Sequence, residues 1–199
     1  MPEPTPQPRP EPNQPRTMDP TELAALNEAL EAARYAMANR NLEDALVQIE
    51  LAKLLASGTS RESEVNRVGM LHDNLKQFFK AVTEGSKGLT ALQEIQIGQK
   101  NPRIAVVIEA TPERLVIKDQ GVIRRFNLGD TMPAALCELL ARRWFKGDEA
   151  TNDVFVGTFH AVDAQGDKER ARQLWNSARN TGSGTVKTMV NLIMPELDR

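Results

Sequence analysis

A single cysteine, Cys137, stands in a chain of 199 residues. That excludes an internal disulfide framework and any cysteine-based zinc site. Only two histidines are present, His72 and His160, on separate predicted helices with no HExxH or other paired-ligand spacing. No metal or other cofactor is therefore expected. No apolar run approaches the roughly 20 residues a membrane helix needs, and a charged-then-apolar leader is missing from the N-terminus. The expectation is a cytoplasmic protein with no membrane span. An excess of one charge sign is also lacking: the net charge is −2, and the most basic stretch, residues 89–130, holds 6 basic against 5 acidic residues. Binding phosphates by counterion release needs a larger excess, which argues against nucleic acid as a partner.

What the chain does have is a change of hydrophobic period. Before Leu92 and after Leu128, apolar residues recur every three or four positions; between them lie short β-branched runs broken by Gly and Pro. The fold class this predicts is α+β, in four segments. Residues 1–18 are a proline-rich tail, 19–88 a helical hairpin followed by a long helix, 89–130 a small antiparallel β module, and 131–199 C-terminal helices packing on that module. Eight of the 12 prolines lie in the first 20 residues. Lacking amide donors and anchors, that segment reads as an extended, disordered spacer rather than a ligand for a proline-binding groove.

The helical block opens on Asp19-Pro20 with Glu22 three residues after the cap, a capping-box pattern. Leu23, Leu26, Leu30, Ala33 and Met37 form one stripe to about Ala38. Asn41 caps a second helix to about Ala56, ended by Gly58. A third starts at Ser60 and carries Val65, Val68, Leu71, Leu75, Phe78 and Val82 to about Thr83. In the pair 23–56, small Ala33 faces the small–large–small set Ala45, Ile49 and Ala52. The same spacing returns 126 residues later at Ala171, Trp175 and Ala178, behind a helix over Asn152–Val162 and a turn at Gly166. These two segments, 23–56 and 152–180, resemble tetratricopeptide helical hairpins, and that resemblance implies grooves for segments of partner proteins. The overall order of elements also resembles uncharacterised bacterial proteins of planctomycete type, a likeness that implies no activity.

In the β module, strands are expected over Glu94–Gln99, Arg103–Ala110, Leu115–Lys118 and Val122–Leu128, joined at Asn101-Pro102, Thr111-Pro112-Glu113-Arg114 and Asp119-Gln120-Gly121. The result is a meander or partly open barrel. The second strand is apolar on both faces, so one is expected to meet a helix. Asp130 or Thr131 is expected to cap a helix through Phe145 that covers the sheet.

Chemistry is sparse. His72 shares a stripe with Val65, Val68, Leu75 and Phe79 and reads as a core-edge residue, as does His160 behind Phe159. Cys137 reads as a buried structural thiol. Asp163 and Asp167 bracket Gly166 without the ligand count of an EF-hand, and Asp167 suits an N-cap. Gly182-Ser183-Gly184 lacks the lysine–hydroxyl ending of a phosphate loop and reads as a helix connector. No catalytic residue is assigned.

The candidate interaction surface is Arg142, Arg143 and Trp144, hot-spot residue types, with Arg124 and Arg125 on the last strand, one of them turned outward. Trp144 and Phe145 are themselves expected to fill the core. The reading is a non-catalytic protein-interaction or scaffold module with a protein partner. The alternative is a small-barrel protein binding nucleic acid or a small ligand through Arg124 and Arg125. An enzyme ranks third and requires a pocket converging on His72 or His160.

Overall fold

The computed structural model describes residues 15–98, 102–128 and 131–198. Among them run three helices, α1 (Pro20–Ala38), α2 (Leu42–Ala56) and α3 (Glu62–Lys87). Four strands follow: β1 (Glu94–Ile97), β2 (Arg103–Ala110), β3 (Arg114–Asp119) and β4 (Val122–Asn127). The chain closes with α4 (Ala134–Trp144), α5 (Glu149–Val162), α6 (Lys168–Thr181), α7 (Gly184–Ile193) and a 3-10 turn, Met194–Asp198. The α+β class and its order of elements are as the hydrophobic periods predict.

The start of α1 is set by its capping box. Asp19 Oδ1 accepts from the N–H groups of Thr21 and Glu22 at 2.8 Å, and the Glu22 carboxylate accepts from the Asp19 N–H at 3.2 Å. The chain is already fixed three residues earlier. The Arg16 N–H donates to the Gly58 carbonyl at 2.7 Å, and its guanidinium reaches Glu22 and the Leu55 carbonyl. So residues 15–18, expected in the disordered tail, are docked on the α2–α3 turn; residues 1–14 lie outside the described residues. Fully buried Ala33, Ala45 and Ala52 let α1 and α2 approach closely, while Val47 and Leu54 of α2 face solvent.

α3 is longer than the sequence suggests, running to Lys87. At about 1.5 Å per residue its 26 residues span about 39 Å, and it touches α1, α2, α4, α5 and α7. Phe78 on α3 stacks on Phe159 of α5 with ring centroids 4.2 Å apart, and Phe79 meets Phe159 edge-on. Gly85 marks the crossing with α4: a Cβ there would lie 1.9 Å from the Leu140 carbonyl oxygen. Gly157 does the same for α5 and α6, where a Cβ would stand 2.5 Å from Trp175 Cδ1. Trp175 is fully buried and donates Nε1–H to the Val154 carbonyl.

The strands form an open antiparallel meander in the order β1-β2-β3-β4. Gln120 and Gly121 both have positive φ, the requirement of a tight two-residue hairpin between β3 and β4. Ala105, Val107, Leu115 and Ile117 are buried beneath the sheet. Its other face departs from expectation. Ile104 and Ile108 are 64% and 41% exposed, so the second apolar face of β2 is not covered by a helix. Helix α4 packs along α3 and also touches the sheet at β1. The expected caps do not start it. Pro133 holds the N-cap position of α4 with no side-chain cap, and the Thr131 hydroxyl accepts from the Asn127 N–H instead; Asp130 lies outside the described residues.

Candidate functional site: an arginine-walled cleft beside an aromatic groove

Positions 134, 135, 138, 139, 142 and 143 of α4 fall on one helical face, opposite the buried Leu136, Cys137 and Leu140. That face forms one wall of a cleft of about 990 Å3. Ala134, Ala135 and Leu139 give it an apolar floor. Arg103 at the start of β2, and His160 and Arg170 at the α5–α6 turn, form the facing side.

The α5–α6 turn is tight because Gly166 permits it: a Cβ there would lie 2.3 Å from the His160 carbonyl oxygen. The close return brings the Asp167 N–H to His160 Nδ1, at 3.3 Å. Asp167 then caps α6, accepting from the N–H groups of Glu169 and Arg170. This aims Arg170 at Glu138. Glu138 is the hub. One of its oxygens accepts from Arg142 Nε and Arg170 at 2.8 Å each, and the other lies 3.0 Å from His160 Nε2. Burial pushes the Glu138 carboxyl up, but hydrogen bonds from His160, Arg170 and Arg142 outweigh it and hold the group well below the ordinary carboxylate range. Arg142 also reaches Asp153 at 3.2 Å.

Because a backbone N–H faces Nδ1, that nitrogen accepts, and the ring proton sits on Nε2 toward Glu138. Both ring nitrogens of His160 are thus committed, although the residue lines the cleft. His72 is buried, with Nε2 3.1 Å from the Leu42 carbonyl oxygen. Burial pushes the Cys137 thiol up to about 12, and its Sγ faces the Met132 carbonyl oxygen. None of the three offers a base or nucleophile open to the cleft. Among the described residues no group of three His, Cys, Asp or Glu side chains is arranged to hold a metal ion, and no helix is long and apolar enough to cross a membrane.

At the C-terminal end of α4 the surface turns into a groove of about 440 Å3 between α3 and α5. Trp144, Phe145 and Phe155 line it beside Lys80 and Lys146; the two phenylalanine rings are 5.9 Å apart. Trp144 is 45% exposed, which corrects the expectation that it fills the core; Phe145 is half-buried.

Helix α4 therefore brings Arg142, Arg143 and Trp144 together across two adjoining depressions. Arg124 and Arg125 do not join them. Arg124 lies 3.6 Å from Asp119, which also pairs with Arg103 at 3.0 Å. Arg125 sits on the opposite face of β4, in register with Val116. Alternation along a strand separates such neighbours, and it removes the joint Arg124/Arg125 face. Sequence reasoning missed Glu138, Arg170 and Arg103. The four-residue step from Glu138 to Arg142 was a usable signal; the tertiary partners had none. No family model, curated protein or solved structure matches the chain.

Proposed function

We propose that this protein is a non-catalytic protein-interaction module that docks a partner protein across the end of α4. The observation carrying this reading is the exposed Trp144 standing beside Arg142 and Arg143, where the arginine-walled cleft adjoins the aromatic groove. Tryptophan and arginine dominate binding energy at protein interfaces, and a depression on each side of them offers pockets for a partner's anchors. The commitment of both His160 nitrogens weighs against a reaction centred there. The split of Arg124 from Arg125 weighs against nucleic acid.

The test is comparative capture from a native lysate by the full chain, Trp144→Ala and Tyr35→Ala. Tyr35 is 74% exposed on α1 and lines neither depression, so it serves as the surface control. Proteins held by the full chain and by the Tyr35 variant should be lost with Trp144→Ala, a truncation that costs about 2 kcal/mol or more at a hot spot. Identical captures by all three would remove the reading.

A further inference from the structure

We infer that the outer edge of β4 is a docking site for an extended acidic segment of a partner protein, which adds to the sheet as a fifth strand. The backbone comes first. β4 ends the sheet order, so it has a strand on one side only. The tight hairpin at Gln120-Gly121 makes Asp119 and Val122 the closing hydrogen-bonded pair. Alternation then turns the N–H and C=O groups of Val122, Arg124 and Phe126 toward β3, and those of Ile123, Arg125 and Asn127 outward. The end of the strand shows the same alternation: the Leu128 N–H donates back to the Glu113 carbonyl, while the Asn127 N–H donates to the Thr131 hydroxyl. Thr131 thus closes the edge after Arg125. Ile123 and Arg125 are left with two donors and two acceptors that meet nothing among the described residues.

Charge then selects the occupant. Arg125 forms no ion pair among the described residues, and neither does Lys118, its diagonal neighbour on the same face of the sheet. On the other face Arg124 shares Asp119 with Arg103, at 3.6 and 3.0 Å. A second copy of this chain is a poor fit. The antiparallel register that pairs all the free groups of both copies sets the two Arg124 side chains directly opposite each other. They would fall in a non-hydrogen-bonded pair with Cα atoms about 4.5 Å apart, where like charges repel. The complementary strand instead carries carboxylates opposite Arg124 and Arg125. It places apolar residues opposite Val122 and Ile123, both exposed, one on each face. Read from its N-terminus, an antiparallel strand of that kind runs Glu-Glu-Ile-Val.

The inference is independent of the docking reading at α4 and is tested on the purified full chain, labelled with 15N. The probe is acetyl-Thr-Val-Glu-Glu-Ile-Val-Thr-amide, titrated at constant ionic strength while backbone amide resonances and their hydrogen exchange are followed. It should shift the Ile123 and Arg125 amides saturably and slow their exchange. N-methylating its first Glu and its Ile, whose amides face β4, should weaken binding by about tenfold or more. Methylating the second Glu and the Val after the Ile, whose amides face away, should leave it unchanged. A Lys-Lys version of the peptide, and the exposed substitution Arg125→Glu in the chain, should each weaken binding by about tenfold. Shifts that do not saturate, or that avoid Ile123 and Arg125, would overturn the proposal. So would equal affinity for the Glu-Glu and Lys-Lys peptides, or equal losses from the two methylation patterns. Protection of those two amides that grows with protein concentration alone would overturn it in favour of a second copy. Tighter binding of an oligouridylate at the same amides would overturn it in favour of nucleic acid.

Discussion

Arg40 and Asp163, 123 residues apart in the chain, meet with Nε and Oδ2 2.6 Å apart, and their side chains are only 4% and 2% exposed. Arg40 has φ 62° at the α1–α2 turn. From there its guanidinium also donates to the Met132 carbonyl at 2.8 Å and lies 5.6 Å from the Phe159 ring. One side chain thus ties together the N-terminal hairpin, the entry to α4 and the α5–α6 turn.

Removing one partner of such a pair strands a buried charge. Arg40→Met should cost about 3–5 kcal/mol of stability, measured by urea unfolding. Replacing both partners, Arg40→Met with Asp163→Leu, should recover more than half of that loss. Failure to recover would mean that the hydrogen bonds to Met132 and Gln165, rather than the charge, dominate the site.

Gly85 admits no side chain without moving backbone, because the intruding Cβ would meet the Leu140 carbonyl oxygen at 1.9 Å. Gly85→Ala should force α3 and α4 apart and destabilise by about 3 kcal/mol or more, at the upper end of overpacking costs. Gly69→Ala on the same helix is the control, since a Cβ there would meet Ile49 Cγ2 at an ordinary 3.8 Å.

Glu138 links stability to pH. Its folded carboxyl is held below the unfolded value of about 4.3. The stabilisation is therefore complete above that value and is lost as pH falls toward the folded one. The unfolding free-energy gap between the wild type and Glu138→Gln should be about 3 kcal/mol at about pH 5 and should shrink steadily toward about pH 2.5. A gap that stays constant over that window would show that Glu138 contributes by shape rather than charge.

Cys137 offers a probe of unfolding. Burial pushes its thiol up to about 12, so the folded chain holds almost no thiolate at pH 8. Alkylation by iodoacetamide should be at least about 100-fold slower in the native chain than in denaturant, and its native rate should report global opening. Fast native labelling would place the thiol at a mobile surface.

Local signals were legible in the sequence, and tertiary ones were not. The Asp19 and Asn41 caps, the Asp167 cap and the extent of β2 could be read directly, since each depends on neighbours within a few residues. The starts of α4 and α5 were misplaced. Pro133 opens the first without any side-chain cap, and Asp148 opens the second earlier than Asn152 suggested. The solvent-facing side of β2 read as buried because β-branched alternation is the same whether or not a helix covers it. Of the candidate surface, α4 kept Arg142, Arg143 and Trp144 together because they are consecutive near its end. Arg103, His160 and Arg170 also line the cleft, and only long-range packing brings them near.

The reach of α3 has a consequence for how the molecule comes apart. Its 26 residues supply packing surface to the N-terminal hairpin on one side and to α4, α5 and α7 on the other. Neither half retains a complete core once that helix frays. The helical blocks on either side of the β module should therefore melt as one cooperative unit, and cutting the chain after residue 88 should yield two pieces that do not fold alone.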